Sequence, residues 1–433
     1  MNKNEFVKRR KTLMRMVGEN GIAILPSAPV RIRSRDVQYR FRQDSDFYYL
    51  TGFAEPDSVA VLVPGRQNGE YVLFCRERNK EKEQWDGSRA GPDGAVEYFG
   101  ADDAFPIDDI DDILPGMLET RNRVYYSMGA YSGFDHRLTE WIKSLKNRER
   151  SGIHTPHEFV ALDHVLHDMR LYKSRAELSV MRKAAKIAVQ AHKRAMANIA
   201  PGMFEYEVEA EYIHEFRLHD ATISYAPIVG AGSNACTLHY VENKSQLKNG
   251  DLVLVDAGCE YDYYASDITR TMPVSGSFTP EQRAIYEIVL EAQLAAIEKT
   301  VSGNHWNDPH DAAVRVITMG LRKLGLLDGT PAQLIRDKAY HEFFMHRTGH
   351  WIGMDVHDVG DYKVDDEWRL LEPGMVSTVE PGIYISGAQK VSAKWRNIGV
   401  RIEDDVAVTS NGPDVLSKGL AKEPDDIEDL MAS

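Results

Sequence analysis

Cysteine is scarce in this chain. Cys75, Cys236 and Cys259 are the only three in 433 residues, and no two of them stand in a CxxC arrangement. An odd, sparse set excludes a disulfide framework and a thiolate-rich zinc site, and it fits a reducing compartment. Long hydrophobic runs are missing as well. The longest, such as Leu252 to Val255 and Val59 to Val63, hold four or five apolar residues, whereas a membrane span needs about 20. Basic residues are in deficit, 52 Lys and Arg against 66 Asp and Glu, for a formal charge of −14. That disfavours a nucleic-acid partner, because phosphate binding needs a concentrated basic surface. Lys3, Lys8, Arg9, Arg10 and Lys11 lie near the start, but no apolar signal-peptide core follows them. A cytoplasmic protein without membrane or nucleic-acid contacts is expected. Neither a GxxxxGK[ST] loop nor an HExxH helix is present, which removes a P-loop and that class of zinc protease.

What is present suffices for two domains. The chain is 43% apolar and 9% aromatic over 433 residues, more than one ordinary domain holds. Residues 1–172 read as mixed α/β, with strand-like segments at residues 21–25, 58–63, 71–75 and 123–127 separated by turn-forming residues. Ser174 with Glu177 forms a capping box at the head of a helical pattern that runs to Pro201-Gly202. A second helix is expected over Glu205–His219, then strands at 224–229, 252–256 and 263–272. The order recurs. Thr279 and Gln282 cap a helix to Thr300, Asp308-Pro309 opens another ending near Gly325, and strands return at 375–385 and 397–408. Asp256 lies six residues after Gly250 and two before Gly258, and Glu380 stands in the same relation to Gly374 and Gly382. Residues 173–433 therefore read as an internally duplicated α+β domain. Its tail from Glu423 carries five acids and is expected to fray.

Several polar residues stand where chemistry could be carried. Asp256 ends the buried-looking run Leu252-Val-Leu-Val. A carboxylate emerging there must be paired, hydrogen-bonded or metal-bound, although an Asp capping the Ala257-Gly258 turn would look the same. Strand alternation puts Asp267, Thr269 and Thr271 on one face with Arg270 pointing away, and it pairs Arg401 with Glu403; solvated strand faces have the same pattern. His346, His350 and His357 place three of the 15 histidines in a glycine-broken stretch, where a lone histidine is usually a satisfied structural residue. With Glu380 the set comprises hard oxygen donors and one imidazole, a composition suited to two divalent ions of the manganese type. Carboxylates about 4 Å apart would otherwise repel by roughly 4 kcal/mol per pair at an effective dielectric of 20. Two other motifs fail on context. Gly230-Ala-Gly-Ser-Asn-Ala matches a dinucleotide fingerprint, but the strand-like Cys236-Thr-Leu-His-Tyr follows instead of a helix. Cys236 and His239, three apart on a strand, would face opposite sides, which disfavours a thiol dyad.

The segments Val255-Asp-Ala-Gly, Ser266-Asp-Ile-Thr-Arg-Thr, Gly349-His-Trp-Ile-Gly-Met-Asp-Val-His-Asp, Val379-Glu-Pro-Gly and Arg401-Ile-Glu-Asp-Asp, in this order, resemble aminopeptidase P, the Xaa-Pro aminopeptidases of the pita-bread metallopeptidases. The stretch from Phe41 to Phe53 resembles that family's N-terminal domain, so the likeness covers essentially the whole chain. It implies an α+β architecture, with a creatinase-like mixed α/β domain over residues 1–172 and a duplicated pita-bread catalytic domain over residues 173–433. It implies that Asp256, Asp267, His350, Glu380 and Glu403 ligate two divalent metal ions, with Asp267 and Glu403 bridging. Manganese is the first choice, with cobalt or zinc as alternatives. Glu380 would carry the proton, His357 and His239 would stabilise the developing oxyanion, and His346, Arg401 and Tyr384 would support the substrate. The substrates implied are peptides with proline in second position. A homodimer or homotetramer is implied too, with Trp85 and the arginines near the start as contributors. Two alternatives stand beside this reading: a prolidase, which shares the metal set and cleaves only Xaa-Pro dipeptides, and a non-catalytic pita-bread binding protein.

Overall fold

A computed structural model describes residues 1–432, which fold as two compact units, Met1–Met169 and Arg170 onward. The first is built on a six-stranded sheet whose strands lie in the order Asp103–Pro106, Tyr71–Cys75, Val59–Leu62, Gly21–Pro26, Arg123–Tyr125, Glu158–Val160. Tyr71–Cys75, Val59–Leu62 and Gly21–Pro26 pair antiparallel with one another and the remaining pairings are parallel. Inner strands are apolar throughout and bury Ile22, Ile24, Val61, Val72 and Phe74 against helix residues such as Leu114, Leu138 and Trp141. The two strands that apolar patterning does not reveal, Asp103–Pro106 and Glu158–Val160, are the sheet's edges and only partly buried. An edge strand with a wet face has little need of an apolar run.

The second unit repeats its elements. Helices Arg175–Asn198 and Glu205–Leu218 precede the antiparallel strands Ile228–Ala231, Leu252–Asp256 and Thr269–Pro273. Helices Pro280–Lys299 and Asp308–Lys323 precede Val376–Val379, Gly382–Ile385, Ile398–Arg401 and Asp404–Thr409. Both capping boxes form, Ser174 with Glu177 and Thr279 with Gln282. Gly250 and Gly374, the matching glycines ahead of Asp256 and Glu380, both take positive φ, +89° and +100°, a backbone conformation that favours glycine.

Three segments that read as single strands are broken, each at a carboxylate. Asp267 separates Tyr264–Ala265 from Thr269–Pro273, Glu380 separates Val376–Val379 from Gly382–Ile385, and Glu403 separates Ile398–Arg401 from Asp404–Thr409. The halves then pair in different sheets. The stretch after Ala231 is a 3-10 turn, Gly232–Cys236, not the α-helix a dinucleotide site requires, and residues 236–240 run on without the strand expected there. Among the described residues the acidic tail does not fray. Pro424–Ala432 is a helix with Ile427 fully buried, and Glu428 accepts the Phe278 N–H at 2.8 Å.

Candidate metal centre and substrate cleft

The breaks direct four carboxylates and one histidine toward a common space. Asp267, His350 and Glu403 each offer a ligand atom, all within 4.8 Å of one another. His350 Nε2 lies 3.4 Å from Asp267 Oδ2 and 3.6 Å from Glu380 Oε1. Asp256 joins through Tyr225, whose hydroxyl is 2.5 Å from Oδ1 of both Asp256 and Asp267. A phenol has one proton and cannot satisfy two carboxylates, a crowding of acceptors that a cation relieves. Thr269 Oγ1 donates to Glu403 Oε2 at 2.6 Å and Thr378 Oγ1 to Glu380 Oε1 at 3.2 Å.

The electrostatics have one theme. Burial, then repulsion from Asp267, pushes Asp256 up to about 6 despite Arg401. Burial raises Glu380 to about 7, against the pull of His350 and Arg401. Glu403 is driven well above the usual carboxylate range by burial and by Asp267, Glu380 and Asp256. Burial alone would depress His350, but its contact with Asp267 and the charge of Glu380 lift it to about 9. The pocket thus favours positive charge at its centre. His350 Nδ1 lies 2.9 Å from the Trp351 carbonyl, so Nδ1 bears a hydrogen and Nε2 is the nitrogen turned to the carboxylates, the orientation usual for a metal-binding imidazole, whose Nε2 proton a bound cation would displace. Asp405 accepts the Asp267 N–H at 3.1 Å and keeps a buried oxygen without a partner. Hard oxygen donors, one presented imidazole and crowded anions fit divalent cations.

A cavity of about 840 Å³ opens on this cluster, lined among others by Tyr225, Leu238, His239, Trp306, His346, Arg347, His357, Tyr362 and Trp368 as well as Asp256, Asp267, His350, Glu380, Arg401 and Glu403. The His357 ring stands 4.4 Å from that of His350, edge to face. His346 Nε2 is 2.9 Å from the Tyr384 hydroxyl, and burial lowers its pKa to about 3. Arg401 donates to Asp256 Oδ2 at 2.7 Å, to the Tyr384 hydroxyl at 3.0 Å and to Thr269 Oγ1 at 3.2 Å. Tyr384 itself is buried behind the lining and reaches the cleft through Arg401 and His346. Cys236 stands outside the cleft, its thiol pushed up to about 11 by burial, so no thiolate nucleophile is on hand. Tyr225 and the aromatic wall of Trp306, Tyr362 and Trp368 carry no motif in the sequence that would single them out.

Residues 179–410 match metallopeptidase family M24, and residues 6–125 match the aminopeptidase P N-terminal domain. The chain belongs to family M24. Among its relatives, the Xaa-Pro aminopeptidase of Escherichia coli K12 is 43% identical, over 100% of this chain and 98% of its own length. That of Haemophilus influenzae is 42% identical, over 99% and 97%. Among solved M24 structures, an aminopeptidase of Pseudomonas aeruginosa is 60% identical with a TM-score of 0.99, covering 100% of this chain and 98% of that one. Zinc-substituted Escherichia coli aminopeptidase P with product is 43% identical with a TM-score of 0.97, over 100% and 98%. The expected fold class, a mixed N-terminal domain followed by a pita-bread metallopeptidase domain, is therefore the fold of this M24 chain.

Proposed function

We propose that this protein is a Xaa-Pro aminopeptidase, a metal-dependent hydrolase that releases the N-terminal residue from peptides with proline second. The observation that carries this reading is the meeting of Asp267, His350 and Glu403 donor atoms within 4.8 Å on the wall of one large cavity. Asp256, Asp267, His350, Glu380 and Glu403 are the residues that would hold two divalent ions. Manganese suits the oxygen-rich set best. When bound, such ions polarise a carbonyl and acidify water.

The remaining work falls to the chain's own groups. The substrate ammonium is drawn toward the carboxylates, with Asp267 nearest. The Glu380 carboxylate, 3.6 Å from His350 Nε2, is assigned to accept a proton and return it to the departing proline nitrogen. His357 and His239 line the cleft and are assigned as donors to the developing oxyanion. Arg401, pinned by Tyr384 and Asp256, and His346 hold the substrate in place. Direct attack of water forms no acyl-enzyme, so the hindered proline amide need not be engaged by a protein nucleophile. A cavity of about 840 Å³ lies in the upper part of the range for ligand sites, which favours peptides longer than the dipeptide a prolidase takes. The protein is assigned to the cytoplasm and to a homodimer or homotetramer.

Glu403→Gln keeps size and removes one charge from the proposed ligand set. Release of the first residue from an Xaa-Pro-Yaa peptide should fall more than about a hundredfold, beyond the range of outer-shell substitutions. Undiminished turnover would remove Glu403 from the ligand set.

A further inference from the structure

Two guanidinium groups line the cleft, Arg347 and Arg401. Arg401 is spent, since its side chain donates to Asp256, Tyr384 and Thr269 and it is 4% exposed. Arg347 is not. Its fork donates to Asn307 Oδ1 at 2.5 Å, and its central carbon stands 5.0 Å from the centre of the Trp368 ring. Asp311 exerts an attractive field on it without forming an ion pair. An arginine has five N–H donors in a rigid fork, so most of this one remain open. Neighbouring residues are turned apart. His346 reaches Tyr384 and lies 3.9 Å from Glu380, whereas Arg347 reaches Asn307 and the Trp368 wall. The cleft thus carries four carboxylates at its metal-binding part and an exposed, stacked cation elsewhere on its lining.

A short peptide has complementary ends, an ammonium at the residue to be removed and a carboxylate at the other end. We propose that Arg347 is a specificity-determining residue that binds the C-terminal carboxylate of short Xaa-Pro-Yaa substrates. The proposal deepens the peptidase reading above and rests on it. Once the ammonium is engaged by the carboxylates and the scissile bond is at the metal-binding cluster, the leaving peptide extends along the cleft. Its carboxylate then meets a guanidinium that Asn307 and Trp368 already hold in place, so little ordering is lost on binding. A charge-assisted fork of this kind is stronger than a neutral hydrogen bond and geometrically selective.

The test is the ratio of kcat/KM for an Xaa-Pro-Yaa peptide with a free C-terminal acid to that for its C-terminal amide. The metal-loaded wild-type protein should favour the acid roughly tenfold. Arg347→Met, which keeps the stem beside Trp368, should bring the ratio to about one. Arg347→Lys, which keeps the charge but not the fork, should fall between. Binding of the product Pro-Yaa, read as competitive inhibition, should show the same acid preference and the same loss. A wild-type ratio near one, or a ratio unchanged in Arg347→Met, would overturn the proposal. Failure of the wild-type protein to cleave either peptide would instead overturn the peptidase reading, and this proposal with it.

Discussion

His192 is assigned no contact with substrate, yet it ties together two turns that present proposed ligands. Its Nε2 lies 3.3 Å from the Ala257 carbonyl and 3.1 Å from the Ile268 carbonyl, the residues that follow Asp256 and Asp267. Two carbonyls can only accept, so Nε2 carries the hydrogen and the Tyr212 hydroxyl, 2.9 Å away, donates to Nδ1. Burial, reinforced by Arg270, depresses the imidazole to about 3, whereas in an unfolded chain it titrates near 6.5. The folded state therefore stays neutral while the unfolded state takes up a proton below that value. Stability is lost as pH falls from about 6.5 toward 3, by about 1.4 kcal/mol per pH unit from this residue alone. Urea denaturation of His192→Gln should show lower stability at pH 7 but a shallower decline between pH 6 and 4; an unchanged slope would contradict the assignment. No sequence signal marks this residue. It is one histidine inside an ordinary amphipathic helix, and its importance comes from a tertiary contact with two carbonyls. Tyr225 is likewise unmarked in the sequence, and its place comes from tertiary contact with two carboxylates. Asp256, Asp267, His350, Glu380 and Glu403, the proposed ligands, each stand in one of the short motifs that carry the family resemblance.

At the scale of elements, the strand breaks matter most. Alternation correctly separates Thr269 and Thr271, which bond Glu403 Oε2 and the Arg401 carbonyl, from Arg270. It says nothing of where pairing switches sheets, because that depends on which neighbouring strand each half takes as its partner. Arg270 shows the consequence. Pointing away from the cluster, it is nonetheless buried, donating to the carbonyls of Thr269 and Glu403, to Asp404 and to the Ala421 carbonyl. Asp404 accepts in turn from Gln293, Ser417 and Lys422. This network fixes the backbone on either side of the Glu403 break and fastens the C-terminal segment, whose order composition alone hides. Asp404→Asn should leave Arg270 and Lys422 without their anion and destabilise the fold by about 3–5 kcal/mol, read as a lower denaturation midpoint. A loss below about 1 kcal/mol would show that the network is not tied to stability in this way.

For the molecule as a whole, the excess of 66 acids over 52 bases has two meanings. Most of those acids lie on the surface, where they oppose association with nucleic acid. Four lie in the proposed metal-binding cluster of a duplicated domain whose two rounds each bring strand ends to the same centre. The resemblance to a family conveyed the architecture at once, whereas the cleft's aromatic wall and the free guanidinium of Arg347 emerge only when chain-distant segments are brought together. The claim that unites these scales is metal-dependent removal of one residue ahead of proline. The most direct measurement is release of the first amino acid from an Xaa-Pro-Yaa peptide by chelator-stripped protein, titrated with manganese. Stripped protein should be inactive, and activity should rise to a plateau at two ions per chain, with a single residue released. Equal turnover with and without metal, or a loaded protein that leaves the peptide intact, would contradict the account.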